Sequence, residues 1–336
     1  MAKAIPLIRG AAIIPFLRWM LAHGRPIEAP LRATGLSPTL LDDPMRPISL
    51  ANGLAFLGEI GAREAPDLGC RVVSQASVVD VTVVARALAG ARTPRETLSR
   101  AVLGLPMHCS HEGLSLAPCA DGIIVREFLD IACTPKSRHV AQHFVASLVQ
   151  AVCALTGHRG PVFSSLELTP DPDFGLDHLQ PWFGARLIAA DNRALTIRIP
   201  DIVLDRLYPR GLRDRFATDA PDGWSSLRGD GSFAASVRIL IDAELGERVP
   251  DAASVARAAG IGLRTLQRQL AAEGTSFTRQ LDDVRRTRAL ARLSGPDATI
   301  GEISATLGYS GQSGLTRAVR RWTGAPPSAV RRSHGD

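Results

Sequence analysis

The sequence predicts a two-domain protein, in which an α+β domain precedes an all-α domain of two helix-turn-helix subdomains joined by a long helix. At 336 residues the chain exceeds the length that one hydrophobic core usually organises. Strand-like and helix-like patterns are mixed in its first part, whereas the remainder is almost wholly helical in pattern. We therefore expect an α+β domain over residues 1–215, a linker over 216–232 and the all-α domain over 233–336.

The composition is that of an ordinary soluble globular protein, with 45% hydrophobic and 21% charged residues. A formal net charge of +6 favours anionic partners. All but two of the 39 basic residues are arginine, which suits bidentate contacts with phosphate and guanine, although genomic base composition produces the same bias. The five cysteines form no CxxC pair and their number is odd, so we expect a cytoplasmic protein without a disulfide framework.

The first 65 residues are predicted to be mostly helical, starting with an amphipathic helix between Lys3 and Leu21. Pro15 and Arg18 interrupt its apolar stretch, which argues against a signal peptide. No later stretch reaches the roughly 18 uninterrupted apolar residues that a membrane span needs. The sequence therefore predicts no membrane partner.

The rest of the first domain alternates between strands and helices. Residues 114–129 are divided by Asp121-Gly122, a dipeptide typical of tight hairpin turns, and predict two paired strands. Apolar residues at every fourth position predict a helix over 137–155, buried along one face. A further strand over 194–199 and a short helix over 202–207 complete the α+β pattern.

The second domain contains an internal repeat, which is stronger evidence of architecture than a single motif. Three residues recur 48 positions later and three more recur 49 positions later: Val255, Ala259 and Gly260 as Ile303, Leu307 and Gly308, and Leu266, Arg268 and Leu270 as Leu315, Arg317 and Val319. Each copy has a helix ending at glycine, a short turn and a second helix. This is the layout of a helix-turn-helix unit.

The second helix of each copy is amphipathic at helical spacing. Its packing face is predicted to consist of Leu263, Leu266 and Leu270 in the first copy and Leu315, Val319 and Trp322 in the second. Its outer face carries Arg264, Thr265, Gln267 and Arg268 in the first copy and Gln312, Ser313, Thr316, Arg317 and Arg320 in the second. Isolated basic residues usually form a solvated helix face. Recurrence in two copies, with side chains that bind bases and phosphates, instead predicts contact with double-stranded DNA in a promoter or operator.

These residues resemble the AraC type of bacterial transcriptional regulators over about residues 235–332. The resemblance is strongest in Leu266-Gln267-Arg268, Glu273 to Phe277, Ile300 to Ser310 and Arg317 to Pro327. It implies that each unit inserts its second helix into the major groove, with base contacts from Arg264, Gln267, Arg268, Gln312, Ser313, Thr316 and Arg317. Gly262 departs from the family pattern, which commonly has a capping serine there.

The first domain resembles the sensing domain of one AraC-type subgroup, labelled arabinose-binding-like. The similar segments are Ala33 to Leu36, Leu40 to Pro44 and Trp182 to Ala185. The resemblance implies an effector-sensing and dimerisation domain, a small-molecule effector whose identity the sequence does not give, a possible homodimer, RNA polymerase as a partner, and an activator of transcription.

Two clusters contain residue types that bind metals: His108, Cys109, His111 and Glu112, and the pair His139 and His143. Nothing links the two clusters in sequence. Partly buried histidines and free thiols explain them better, so we expect no metal and no cofactor.

Catalysis is also not expected. Ser164 and Ser165 lie in no nucleophile elbow, and neither a P-loop nor a dinucleotide fingerprint occurs. Two alternatives stay open, an architectural DNA-binding protein without an effector and a DNA-tethered enzyme. A pocket in the first domain favours the sensor, and a pocket with paired titratable groups favours the enzyme.

Overall fold

A computed structural model describes residues 4–74, 78, 81–211, 225–245, 248–295 and 298–332. The chain divides into two compact units, an N-terminal unit over Pro6–Arg228 and a C-terminal unit over Gly229–Asp336 that also includes Met1–Ile5. Most of the predicted linker, residues 216–224, lies outside the described residues. Within the described ranges, no helix is long and apolar enough to cross a membrane.

The N-terminal unit contains two sheets. Its strands are β1 (Leu7–Arg9), β2 (Pro47–Ser49), β3 (Glu112–Cys119), β4 (Gly122–Leu129), β5 (Ser165–Leu168), β6 (Arg186–Ala189) and β7 (Leu195–Pro200). β1 and β2 form an antiparallel pair, and the other strands form one sheet in the order β3-β4-β7-β5-β6. In that sheet only the β5–β6 pair is parallel among the described strands.

Helices cover these sheets. They are α1 (Ile14–Ala22), α2 (Glu28–Ala33), α3 (Leu50–Gly61), α4 (Leu68–Arg71), α5 (Thr82–Leu88), α6 (Pro94–His108), α7 (Pro135–Ala154), α8 (Gln180–Phe183) and α9 (Asp201–Leu204). The predicted helix over 137–155 is confirmed as α7, which contributes to two hydrophobic clusters, through Phe144 to one and through Val149 to the other. The mixture of helices and sheets confirms the α+β prediction.

The predicted hairpin is confirmed, but its turn lies one residue earlier than expected. Cys119 pairs with Gly122, which leaves Ala120 and Asp121 as the loop. Gly122 is instead the first residue of β4, where a Cβ atom would lie 2.0 Å from the carbonyl oxygen of Ile199. The glycine is therefore required by the close approach of β7 and not by the turn.

The prediction that the first 65 residues are mostly helical was wrong in part. Leu7–Arg9 and Pro47–Ser49 form a short antiparallel pair, and the helix expected from Lys3 begins only at Ile14. Strands of three residues are too short to show an alternating pattern, so long-range pairing decides their conformation.

The C-terminal unit is all helical within its described residues, as predicted. Its helices are α10 (Phe233–Leu245), α11 (Ala252–Ala258), α12 (Leu263–Ala272), α13 (Phe277–Leu293), α14 (Ile300–Thr306), α15 (Gln312–Thr323) and α16 (Pro327–Arg332). α11 and α12 form the first helix-turn-helix unit, α14 and α15 form the second, and α13 is the long helix between them.

The repeat extends to the start of each unit. Asp251 caps α11 in a capping box with Ser254, and Thr299 caps α14 in a capping box with Glu302. Both pairs are again separated by 48 positions. Each box pairs N–H groups that have no acceptor within the helix, so the two units begin in the same local conformation.

Candidate nucleic-acid interface

Each helix-turn-helix unit turns at a glycine in the left-handed region. Gly260 and Gly308 both have a φ of +70°. The N–H of the residue after each glycine donates to the carbonyl five residues earlier, at 3.0 Å. This bond ends the first helix and directs the chain into the second one, and glycine supplies the required φ without a steric cost.

The second helix of the first unit, α12, packs on one side and exposes the other. Leu266 and Leu270 are fully buried. On the outer side, Arg264, Gln267 and Arg268 are exposed and Thr265 is partly buried. Leu263, which we expected on the packing face, is 40% exposed. It is the first residue of the helix, and the first fully buried residue, Leu266, follows three positions later.

The corresponding helix of the second unit, α15, has the same arrangement. Leu315 and Val319 are fully buried, Ala318 is 3% exposed and Trp322 is partly buried. The outer side carries the predicted contact residues: Gln312, Ser313, Arg317 and Arg320 are exposed, and Thr316 is partly buried. The hydroxyl of Thr316 donates to the carbonyl of Gln312 at 2.8 Å, which leaves its oxygen available as an acceptor.

Glycine precedes both of these helices. Gly262 and Gly311 are the N-cap residues of α12 and α15, and neither can supply a side-chain cap. The missing side-chain cap at Gly262 therefore has a counterpart at Gly311 in the second unit. The first-turn N–H groups of the two helices lack a side-chain acceptor at the cap, which suits contact with an anion.

The arginines of the C-terminal unit fall into two groups. Several bind elsewhere in the unit: Arg288 pairs with Asp242, Arg321 pairs with Asp282, Arg285 donates to the carbonyl of Leu307 at 2.9 Å, and Arg292 donates to Thr306 at 3.1 Å. The outer-face arginines have no such bond to the described residues: Arg264, Arg268, Arg317 and Arg320. Their guanidinium groups are therefore exposed and uncompensated.

The remaining polar contacts hold the helices in position. Glu273, at the end of α12, accepts hydrogen bonds from the N–H groups of Phe233 and Ala234 at 2.9 and 2.8 Å. It therefore caps the start of α10 with a carboxylate at the positive end of that helix. Arg285 on α13 lies over the ring of Tyr309 at 4.8 Å, next to the turn of the second unit. These contacts fix the scaffold from which both outer faces project.

A separate feature lies in the N-terminal unit, a largely apolar cavity of about 150 Å³. Its wall is formed by α3, α5, α6, α7 and the β3–β4 hairpin. The polar side chains on that wall are Thr97, His108, Glu112 and Glu127. Sequence reasoning missed Glu127. Ile123, Val125 and Leu129 of the same strand are buried, and alternation along β4 places the side chain of Glu127 on the same inward face.

The predicted metal-type residues do not assemble into a metal site. Among the described residues, no group of three or more His, Cys, Asp or Glu side chains could hold a metal ion. His139 instead contacts His178, Nε2 to Nε2 at 3.0 Å, and Thr169 through Nδ1 at 2.8 Å. Nε2 of His143 accepts the N–H of Gly69 at 2.8 Å. Burial lowers the pKa of His139 to about 4 and holds the pKa of His143 well below its usual range, so both rings are neutral at pH 7.

Comparisons with known proteins find two family models that match the chain. Residues 24–206 match the family described as the N-terminal arabinose-binding domain of AraC transcription regulators, and residues 255–333 match a helix-turn-helix domain family. An uncharacterized HTH-type transcriptional regulator of Mycobacterium tuberculosis is 26% identical over 329 residues, which are 92% of each chain. The crystal structure of the transcriptional regulator CdpR from Pseudomonas aeruginosa aligns with a TM-score of 0.42 and 22% identity, over 95% of this chain and 96% of that one.

An ornithine utilization regulator of Pseudomonas aeruginosa is 39% identical over 95 residues, and this chain covers only 28% of its length. The arabinose-binding match, in contrast, spans more than half of the present chain and is followed by the helix-turn-helix match. The chain therefore belongs to the AraC-type family of DNA-binding transcriptional regulators that carry an N-terminal effector-binding domain.

Proposed function

We propose that this regulator binds its operator by inserting α12 and α15 into successive segments of the major groove, and that a small molecule bound in the N-terminal unit changes this binding and activates transcription. The observation that carries the proposal is the pair Arg268 and Arg317. They occupy equivalent positions of the repeat, both are exposed, and neither has an acidic partner among the described residues.

An uncompensated guanidinium on an exposed helix face suits either a guanine edge or a phosphate. The proposed base-reading residues are Arg264, Gln267, Arg268, Gln312, Ser313, Thr316 and Arg317. Thr265 and Arg320 complete the proposed contact surface, with phosphates as their partners. Two helices on one DNA face require half-sites about 34 Å apart, unless the duplex bends.

Effector control requires a site whose occupancy differs between two states of the protein. A ligand shifts DNA occupancy only when its affinity differs between the DNA-competent and incompetent states, and the coupling is reciprocal. The cavity of the N-terminal unit supports this part of the proposal. We also propose RNA polymerase as a partner of the DNA-bound regulator, and self-association through the N-terminal unit.

The test is footprinting of the full chain on DNA flanking its own gene, followed by titration of the protected fragment. Arg268→Ala and Arg317→Ala should each weaken specific binding, and the double variant should abolish the footprint. Arg126→Ala is the matched control, because Arg126 is an exposed arginine on β4 of the other unit. An unchanged footprint in the double variant would exclude the proposed interface.

The effector and activator parts need a second readout. Transcription from the footprinted promoter should rise in cells that carry the full chain and should depend on the N-terminal unit. Unchanged output after replacement of that unit would favour an architectural protein without an effector.

A further inference from the structure

We propose that the cavity of the N-terminal unit binds a small primary amine, whose apolar body fills the cavity and whose ammonium group lies between the carboxyl groups of Glu112 and Glu127. The proposal rests on the effector-responsive function proposed above and names the chemical class of the effector.

The two carboxyl groups lie on the same face of one hairpin. In the register of β3 and β4, Glu112 is opposite Leu129 and Leu114 is opposite Glu127. Glu112 and Glu127 are therefore diagonal neighbours, a relationship in which long side chains can reach each other. Both side chains line the cavity.

The thiol of Cys109 forms a hydrogen bond with Glu112, but no cation among the described residues forms a hydrogen bond with either carboxyl group. Glu127 is 2% exposed, and no described residue donates a hydrogen bond to its carboxyl group. The positive charge of Arg138 acts on Glu127, but its guanidinium donates hydrogen bonds instead to the carbonyls of Ile131 and Arg193, at 3.0 and 3.4 Å. Two carboxyl groups in an apolar cavity without a cation in hydrogen-bond contact are costly, and a protein that retains them needs a reason beyond packing.

His108 adds a second unpartnered group at the same wall. It is 4% exposed, and its Nδ1 has no hydrogen-bond partner in the described part of the chain. Burial, together with the nearby charge of Arg9, lowers the pKa of His108 to about 4, so its ring is neutral at pH 7. A neutral imidazole offers an acceptor nitrogen but brings no positive charge to the carboxyl pair.

The shape of the cavity selects the rest of the ligand. Its wall is apolar over α3 and α7 and, apart from Thr97 and His108, over α6, with Leu54, Leu105 and Phe144 among the lining residues. An apolar cavity of about 150 Å³ accepts a molecule of the size of benzene. An ammonium group supplies three donors and one positive charge, which match two carboxyl groups, whereas an anionic ligand would add a third negative group.

A DNA-tethered enzyme would also have a pair of titratable groups in its pocket. The wall of the cavity offers Thr97, His108 and the two carboxyl groups as its polar side chains, and the chain belongs to a family of regulators. Binding of an amine, without conversion of it, is therefore the interpretation that fits both observations. Turnover of the bound molecule is the outcome that separates the two.

The experiment measures the thermal unfolding of the full chain at pH 8 with benzylamine, with its neutral analogue benzyl alcohol and with benzoate. Benzylamine should raise Tm in a concentration-dependent manner, because it binds only the folded state. Benzyl alcohol should act only at concentrations at least about tenfold higher, and benzoate should have no effect. Equal stabilisation by benzyl alcohol, stabilisation by benzoate, no effect of benzylamine, or chemical conversion of benzylamine would each overturn the proposal.

Three variants assign any effect to the cavity. Glu127→Gln should weaken benzylamine binding at least about tenfold and should reduce its advantage over benzyl alcohol. Glu167→Gln is the matched control, because Glu167 lies on β5 of the same sheet between the inward-facing Leu166 and Leu168. Ala101→Phe fills the cavity and should prevent binding of both compounds. Retention of full benzylamine binding by Glu127→Gln or Ala101→Phe would place the ligand elsewhere and refute the site.

Failure of this proposal is distinguishable from failure of the proposed function. If the chain binds its operator and benzylamine does not bind the cavity, only the amine proposal fails. If benzylamine binds the cavity and operator affinity does not change, the site stands and the effector role fails. If no specific DNA binding occurs, the proposed function fails whatever the amine does.

Discussion

The indole nitrogen of Trp322 donates a hydrogen bond of 3.0 Å to Oδ2 of Asp282, while Oδ1 of the same carboxylate pairs with Arg321. Trp322 lies near the end of α15 and Asp282 lies on α13. One carboxylate on the connecting helix α13 therefore binds two consecutive residues of α15. This contact joins α15 to α13 in addition to the burial of Leu315 and Val319.

Replacement of the Trp322 side chain by a smaller one should destabilise the second helix-turn-helix unit. Trp322→Phe loses one partly buried hydrogen bond and should lower the free energy of unfolding by about 1 kcal/mol. Trp322→Ala also removes the ring contacts and should cost about 3 kcal/mol, the low end for such a change, because the ring is only partly buried. Urea denaturation of the full chain measures both, with Trp19→Phe in the other unit as control for the loss of an indole, because the indole nitrogen of Trp19 forms no hydrogen bond with the described residues. Equal stability of Trp322→Phe and the wild-type protein would show that the bond to Asp282 does not contribute.

Arg317 should contribute to base preference and not only to affinity. Its exposed guanidinium has no partner in the described part of the unit, so Arg317→Ala should lower specific affinity by about 1 to 3 kcal/mol and relax the preference at one base position. Competition binding against a library of single-base operator variants measures both effects. A uniform loss across all operator sequences would instead assign Arg317 to a phosphate.

The sequence predicts the C-terminal unit well because its information is local and repeated. Helical spacing places Leu266, Leu270, Leu315 and Val319 inward, and the structure buries all of them. The prediction from helical spacing is wrong at Leu263. Because Leu263 is the first residue of α12, its position in the helix, and not its spacing, decides how exposed it is. Tertiary packing decides whether a neighbouring helix covers the first turn of α12. The periodicity of the sequence carries no information about that packing.

Gly308 should tolerate alanine less well than Gly274. Both have a φ of +70°, which costs a side chain about 1 to 2 kcal/mol. A Cβ atom at Gly274 would meet open space, whereas a Cβ at Gly308 would lie 2.1 Å from Cγ2 of Val249. Gly308→Ala should therefore lower Tm more than Gly274→Ala, and Val249→Ala should partly restore it. If the two alanine variants unfold at the same temperature, the contact with Val249 is relieved at no cost.

The N-terminal unit was less predictable, since its site is assembled from distant segments. The hairpin and α7 follow from alternation and from fourfold spacing, and both are confirmed. The cavity combines Leu54 of α3, Leu105 of α6 and Glu127 of β4, residues that only tertiary packing brings together. Sequence reasoning placed Glu112 in a metal-type cluster with its chain neighbours, whereas in the structure it lines the cavity beside Glu127, its diagonal neighbour across the hairpin.

The buried histidines should limit stability in acid. Burial depresses the pKa of His139 to about 4 and lowers those of His143 and His178, so the folded state favours their neutral forms. A histidine with a depressed pKa contributes stability above its unfolded value near 6.5 and loses it as the pH falls toward 4. The Tm of His139→Gln should therefore fall less than that of the wild-type protein between pH 6.5 and 4.5. His23→Gln, an exposed histidine outside this cluster, should follow the wild-type curve; a parallel curve for His139→Gln would refute the assignment.

The carboxyl pair of the cavity should lower the stability of the protein as the pH rises, whereas the buried histidines lower it as the pH falls. Burial raises the pKa of Glu112 to about 7, and burial together with the charge of Glu112 raises the pKa of Glu127. Cys109, Cys133, His108 and Arg138 are the other titratable or charged groups near the pair, and Arg138 only partly offsets the shift of Glu127. An acid with a raised folded pKa contributes full stability below its unfolded pKa near 4.5 and loses it as the pH rises through the folded value.

Glu127→Gln should therefore unfold at a higher temperature than the wild-type protein at pH 8 and at nearly the same temperature at pH 4.5. The amide of the Glu127→Gln variant keeps the volume of the protonated glutamate side chain. Both proteins contain the same histidines, so the difference in Tm between them measures the cost of charging the carboxyl pair. The measurement is thermal unfolding of both proteins, and of the control Glu167→Gln, at half-unit steps from pH 4.5 to 8. Glu167→Gln should track the wild-type protein throughout. A difference for Glu127→Gln that does not grow with pH would show that the Glu127 carboxyl is not held in its neutral form by the cavity.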